Sequence, residues 1–272
     1  MAKIALDIYD HLDLPGLLHR RVEVWLPPAY QRSPQGRFPV LYMHDGQNIF
    51  NTRPAIKPGW QVVQTITDLA EKGRITPPIV VGLGNTRNRL GDYLPQKPFR
   101  DEASRAILEK TLSDSRIHIR SHASDLYLRW MTELVKPLID ATYRTLPDPA
   151  STALMGSSMG GLISLYGLCE YPQVFGRAGC LSTHWPIAQE PMLDYCRKCL
   201  PEAGTHRLYF DHGTAGLDAQ YAPWQERVDQ IMREKGYREN QDWLSQVFPG
   251  DNHHELYWAG RLHIPLTFLF GK

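Results

Sequence analysis

The sequence predicts an α/β fold: a mostly parallel central sheet with helices on both faces. Three observations predict it. Short apolar runs rich in β-branched residues recur along the chain, each bounded by Pro or Gly. Stretches with helical spacing of apolar residues lie between them, and such alternation builds βαβ units. The length of 272 residues, with 42% hydrophobic and 22% charged residues, is enough to bury a sizeable core. There is no internal repeat and no low-complexity tract, so one domain over 1–272 is expected.

In chain order, "RRVEVWLPPAY" alternates as a half-buried strand does. "FPVLYMHDG", "PPIVVGLGN", "STALMG", "FGRAGCLST" and "HRLYFDHG" read as strands entering loops, and "DWLSQVFPG" as one more. The first two of these runs are expected to be antiparallel edge strands. Helical spacing covers residues 61–72, after "PGW", and 125–143, where Pro137 predicts a kink. It also covers 162–169, 221–235 and 255–268, with Pro265 expected to end the last one early. Residues 96–123, "QKPFRDEASRAILEKTLSDSRIHIRSHA", fit no strand. They are charged and partly helical, and read as a small lid-like excursion over one end of the sheet.

Charge and composition exclude several function classes. Thirty Lys+Arg against 29 Asp+Glu leave a formal charge of +1 with no basic block, so neither nucleic acid nor a membrane surface is an expected partner. The opening "MAKIALDIYDHLDLP" carries acids where a secretory leader has its apolar core, and no apolar run reaches transmembrane length. The four cysteines, Cys169, Cys180, Cys196 and Cys199, are too few for a disulfide framework, which points to the reducing cytoplasm. Cys196 and Cys199 form C-x-x-C without a second pair or a thioredoxin-like setting, so no redox or metal role is assigned. No cofactor is expected.

In a parallel sheet, ligands bind beyond the carboxyl ends of the strands. The segments after the predicted strands are "HDGQN", "GNTRNR", "SSMGG", "STHW", "DHGTAGLD" and "GDNHH". They are rich in residue types that do chemistry. Gly156-Ser157-Ser158-Met159-Gly160 fits G-x-S-x-G between an apolar strand and an apolar helix. The pattern makes Ser158 a nucleophile at a strained turn near a helix N-terminus, whose dipole favours developing negative charge. Ser157 lies off the centre of the motif.

A serine hydroxyl needs a base, and in this arrangement the acid and then the histidine follow the serine along the chain. His253 and His254, in the loop after the last strand, both qualify; His184 could line the pocket. "HHELYW" has Trp258 where the zinc motif H-E-x-x-H needs its second histidine, so that motif fails. Asp218 and Asp211 both follow or end the strand "HRLYFD" and are the candidate acids, Asp218 preferred because it lies in the loop. Oxyanion donors are expected from the backbone N–H groups of Met159, just after the nucleophile, and Gln47, in the loop after the third strand. Trp60, Tyr93, Trp185 and Trp258 fall near the expected site and could stack on substrate, although large aromatics more often pack cores. Arg87 and Arg89, with Asn85, could bind an anionic or hydroxyl-rich substrate or pair with acids.

"YMHDGQNIF", "PPIVVGLGNTRNR" leading to "DYLP", "MGSSMGGLISLYGLCEYPQVFGRAGCLS" and "FPGDNHHELYWAGRL" together resemble the Putative esterase family of α/β-hydrolases. That group includes esterase D, feruloyl and acetyl-xylan esterases, ferric-enterobactin-type esterases and the antigen 85 mycolyltransferases. The resemblance spans residues 20–270 or so and is most specific at the elbow and at "HDGQN". It implies a serine nucleophile at Ser158 and oxyanion N–H groups at Gln47 and Met159. Its G-x-x-H pattern, with Trp five residues after the His, falls on Gly250, His253 and Trp258, and so favours His253 as base. "GTAGLD" delays the family's acid to Asp218, which keeps Asp211 in contention. The resemblance implies a serine carboxylesterase acting on a small soluble ester. A siderophore trilactone esterase and an acyltransferase use the same residues, and a catalytically dead hydrolase used for binding is the reading from another class.

Overall fold

The computed structural model describes residues 4–50 and 59–272. Residues 1–3, at the start of the N-terminal stretch read above, and 51–58, which include the Pro of "PGW", lie outside them. Each apolar run becomes a strand: β2 (Val22–Trp25), β3 (Val40–His44), β4 (Ile79–Leu83), β5 (Thr152–Ser157), β6 (Arg177–Leu181), β7 (Arg207–Ala215) and β8 (Trp243–Asn252). A short β1 (Asp7–Tyr9) precedes them. They form one eight-stranded sheet in the order β1-β2-β4-β3-β5-β6-β7-β8. β2 pairs antiparallel with β1 and β4, and every pairing from β4 through β8 is parallel. This is the arrangement of an α/β-hydrolase.

One expectation is corrected here. The second run, β3, is not an antiparallel edge strand; it lies parallel in the middle of the sheet between β4 and β5. Its five residues are all buried. Val40 and Tyr42 enter one core while Leu41 and Met43 enter the other, so both faces are covered. The antiparallel edge consists of β1 and β2 instead.

Helices cover the two faces. Met159–Glu170, Trp185–Cys199 and Ala222–Glu234 pack on one face through Leu162, Leu165, Met192, Leu193, Val228 and Ile231. Val62–Glu71 and His263–Phe270 pack on the other through Ile66, Leu69, Leu266 and Leu269. Trp185–Cys199 is absent from the sequence reading because Pro186 and Pro191 interrupt its pattern, and it does kink, at Gln189 (φ 45, ψ −145). The expected helix over 255–268 is two: Glu255–Arg261 and His263–Phe270. Pro265 sits in the first turn of the second, where a missing N–H leaves no bond unmade. The helix over 125–143 runs on through a wider π turn at Met131–Val135, next to Pro137, whose ring cannot continue the regular bond pattern.

Residues 96–123 contain no strand, as expected, and one long helix, Glu102–Asp114. Asp101 caps it by accepting from the Ser104 N–H, and Leu108 is its buried anchor. It packs beside the Trp185–Cys199 helix, where Gln189 Nε2 donates to Thr111 Oγ1 at 2.9 Å.

Candidate active site

β5 delivers its last residue, Ser157, into the interior, and the chain then turns at Ser158 with φ 58 and ψ −121. A non-glycine residue there is strained and must be held by its surroundings. Backbone bonds hold it: the Ser158 N–H donates to Leu181 O at 2.9 Å, and Ser158 O accepts from the His184 N–H at 3.2 Å. The helix starts at once with Met159, buried at 2% exposure. Gly156 is required, because a Cβ on it would lie 2.8 Å from the Gly160 carbonyl carbon and oxygen. Ser157 is buried in the strand, whereas Ser158 is partly open.

Of the two adjacent histidines, His254 is used as a helix cap: its Nδ1 accepts from the Leu256 N–H at 3.1 Å. His253 turns the other way. Its Nδ1 lies 2.6 Å from Asp218 Oδ1, in a setting where the carboxylate side chain is fully buried. The other oxygen, Oδ2, accepts from Ser182 Oγ at 2.6 Å and from the Gly213 N–H at 2.7 Å. Burial pushes the Asp218 carboxyl up, but the hydrogen bonds from His253, Ser182 and Gly213 outweigh it and hold the group below its ordinary value. Trp258 closes edge-on against the His253 ring, 5.0 Å between centroids, and its Nε1 donates to Ser182 Oγ at 2.9 Å.

Asp211 is engaged elsewhere. Its oxygens accept from Arg261 Nε at 3.1 Å and Nη2 at 3.0 Å, from the Tyr209 hydroxyl at 2.9 Å and from the Ser182 N–H at 3.1 Å. Both members of the Asp211–Arg261 pair are buried. His253 therefore meets Asp218 and not Asp211.

On the other side of the elbow, β3 leaves the sheet beside β5 and enters a turn at Asp45 (φ 59, ψ 46), followed by a single 3-10 turn, Gly46–Asn48. Gly46 lies so close to the β4 backbone that a Cβ would come within 2.7 Å of the Gly82 carbonyl carbon. Arg89 grips the Asp45 carboxylate with two bonds of 2.7 Å, Asn85 Nδ2 adds one of 2.5 Å, and the Tyr93 hydroxyl accepts from the Asp45 N–H at 3.2 Å. Arg89 is thus committed to positioning the Gln47 turn. Arg87 is exposed and borders a separate cavity with Asn88 and Arg120. A cleft of about 310 Å³ opens against Gly46 and Gln47, lined also by His19, Arg20, Arg21 and Glu23.

Trp60, Tyr93, Trp185 and Trp258 are between 0% and 4% exposed. Trp60 stacks on Trp258 with centroids 5.7 Å apart, so the pair backs the His253 loop from within the core. Sequence reasoning missed Ser182, which bridges Asp218, Trp258 and Arg261, and Tyr221, whose hydroxyl lies 2.7 Å from His184 Nδ1. The segment "STHW" marked the place, but neither Ser nor Tyr carries a distinguishing signal of its own. All four cysteines are free thiols, and among the described residues no cluster of three or more His, Cys, Asp or Glu forms a metal site. Among the described residues no helix is long and apolar enough to cross a membrane.

The model of the family described as "Putative esterase" matches residues 18–263. The uncharacterized protein YbbA of Bacillus subtilis (strain 168) is 26% identical over 261 residues, covering 93% of this chain and 94% of its own. Among solved structures, an IroE-like serine hydrolase from Shewanella oneidensis has a TM-score of 0.74 at 17% identity, over 98% of this chain and 80% of that one. The BES protein from Bacillus cereus has a TM-score of 0.67 at 18% identity, over 100% of this chain and 97% of that one. The enterobactin esterase FES from Shigella flexneri has a TM-score of 0.66 at 16% identity, over 98% of this chain and 60% of that one. At these identities the structural likeness speaks for the fold.

Proposed function

Because the chain belongs to the Putative esterase family, we propose that it is a serine carboxylic-ester hydrolase working through an acyl-enzyme. Ser158 Oγ attacks the ester carbonyl and His253 Nε2 takes its proton. Asp218 holds the imidazole in the tautomer with the proton on Nδ1 and stabilises the imidazolium that forms. The Gln47 and Met159 N–H groups carry the charge of the tetrahedral intermediate. The alcohol leaves with the proton from His253. Water, deprotonated by His253, then attacks the acyl-enzyme, and Ser158 recovers its proton as the acid departs. No metal or organic cofactor enters these steps.

The observation that carries this reading is the 2.6 Å contact between His253 Nδ1 and a buried Asp218, on the same sheet rim as a positive-φ Ser158. The substrate is proposed to be a small soluble ester. The test is hydrolysis of p-nitrophenyl esters from acetate to octanoate, together with a ferulate ester and a catechol-bearing trilactone, by wild type and Ser158→Ala. Loss of turnover in Ser158→Ala supports the reading; retention of full activity sinks it. Adding an alcohol acceptor and analysing products separates hydrolysis from acyl transfer. A folded wild type that turns over none of these esters and resists a fluorophosphonate probe would instead favour a binding role.

A further inference from the structure

Two strands flank β5: β3 on one side and β6 on the other. The proposed oxyanion donor Gln47 approaches from the β3 side. The β6 side presents a second polar group. Tyr221 is fully buried, and its hydroxyl lies 2.7 Å from His184 Nδ1. The Ser158 side chain is near enough to this phenol to act against the burial that raises its pKa. Its ring stands edge-on to both imidazoles, 5.7 Å from His253 and 5.8 Å from His184. Three local constraints fix this placement. The Tyr221 N–H donates to Asp218 O at 3.0 Å, so one short turn presents both the carboxylate and the phenol. The His184 N–H donates to Ser158 O at 3.2 Å, which ties the His184 backbone to the elbow itself. Gly216, before that turn, has φ 58 and lies against Asn252, next to His253.

We propose that Tyr221 is a further catalytic residue, its hydroxyl hydrogen-bonding Ser158 Oγ from the side away from Gln47, with His184 the positioning residue that aims it. This rests on Ser158 being the nucleophile. The groups facing Tyr221 and His184 are His253, Asp218 and Ser158, with Arg89 further off. Burial, with the nearby His253 and Arg89 charges, lowers the His184 pKa to about 4, so at neutral pH its ring is uncharged. A neutral ring with its proton on Nδ1 donates to the phenol oxygen, and the phenol proton is then directed at Ser158 Oγ. Ser158 keeps its own proton for His253, and the Tyr221 proton never transfers. The bond matters most in deacylation. There the C–Oγ bond breaks, negative charge builds on Oγ, and His253 returns a proton to it. A donor already aimed at Oγ stabilises that leaving atom. In acylation the same donor occupies a lone pair of the attacking oxygen and helps less.

The prediction is therefore a change of rate-limiting step. Tyr221→Phe keeps the ring but loses the hydroxyl. With a p-nitrophenyl ester, kcat is expected to fall on the order of 10- to 100-fold, KM to fall with it, and a pre-steady-state burst approaching one p-nitrophenol per site to emerge. Labelling of Ser158 by a fluorophosphonate, which needs only the attack step, should stay within about threefold of wild type. His184→Gln should show a smaller loss of the same kind. The double variant should be no worse than Tyr221→Phe alone, as residues acting in series are non-additive. If Tyr221→Phe folds poorly, the burst in His184→Gln carries the test. An active wild type with unchanged kcat and no new burst in either variant overturns this inference and leaves the esterase reading standing. Additive losses overturn the positioning role of His184. A wild type in which Ser158 is neither labelled nor needed overturns both readings.

Discussion

Replacing Asp218 by Asn separates the two candidate acids, and the hydrogen bonds around the site set the size of the effect. Asp218 Oδ2 accepts from the Gly213 N–H at 2.7 Å and from Ser182 Oγ at 2.6 Å, while Oδ1 faces His253 Nδ1 at 2.6 Å. The Gly213 amide can only donate. An asparagine in this place must therefore aim its carbonyl oxygen at Gly213 and its NH2 at His253. That NH2 forces His253 to accept at Nδ1, so the imidazole proton moves to Nε2, the atom that should take the Ser158 proton. The base is present and cannot work. A tautomer error of this kind costs about 10⁴-fold in kcat, equivalent to roughly 5.5 kcal/mol of barrier. Stability should change little, because shape and burial are kept.

Asp211→Asn gives the opposite pattern. It removes the charge that faces buried Arg261, and breaking such a pair costs about 3–5 kcal/mol. Arg261 Nη1 keeps Asp251 at 2.8 Å, so the lower end applies. At roughly 2–4 °C per kcal/mol for a chain of this size, the melting midpoint should drop by about 6–12 °C. The folded variant should keep kcat/KM within about tenfold, since Asp211 reaches the proposed triad only through Ser182. The assay is p-nitrophenyl acetate hydrolysis at pH 7.5, alongside thermal unfolding of the three proteins. An Asp218→Asn protein within tenfold of wild type, or a 10⁴-fold loss in a folded Asp211→Asn, refutes the reasoning.

Two further predictions rest on different physics. Gly156→Ala forces a Cβ to 2.8 Å from the Gly160 backbone and must spread the elbow, with an expected activity loss of at least roughly 100-fold from misplacement of the proposed nucleophile, Ser158. Gly160→Ala meets nothing nearer than His44 Cβ at 3.5 Å, so its activity should stay within a few-fold and its unfolding midpoint should rise slightly; equal losses in the two variants would count against the elbow geometry. The pH prediction concerns His44, whose pKa is lowered to about 3, and His184, lowered to about 4, burial being the main cause in both. Between pH 6.5 and 4 the unfolded chain binds protons at these positions and the folded one does not, so stability is full above pH 6.5 and falls as pH drops. From pH 7 to pH 5 each contributes a loss of about 2 kcal/mol by linkage, His184 somewhat less for its partial exposure. Urea midpoints at the two pH values, for wild type and His44→Gln, check this; an equal shift in both proteins would show that His44 is not the source.

What was legible in the sequence is what the backbone decides locally. A strand that turns through positive φ into a helix needs small residues at fixed offsets, and Gly156 and Ser158 announce that at a distance of a few residues. The rim rule rests on equally simple geometry. Parallel strands share one polarity, so β3, β5, β6, β7 and β8 all deliver their polar ends to one edge, whatever order they take in the sheet. The order itself is a long-range matter. The apolar run of β3 was readable as a strand, but its central place depends on which helices cover it, and the run contains no word on that. The choice between Asp211 and Asp218 is of this second kind. Asp211 lies within β7 and Asp218 in the turn after it, and what separates them is Arg261, 50 residues after Asp211, which occupies that carboxylate. His253 and His254 were likewise equal until one of them capped a helix. The four aromatics were near the site in sequence and are behind it in space, because a flat ring of that size is worth more in the core than at the rim. Tyr221 shows the cost of reading residue types alone. A tyrosine at the start of a helix carries no mark, and the role proposed for it depends on His184 and Ser158, which lie 37 and 63 positions away in the chain.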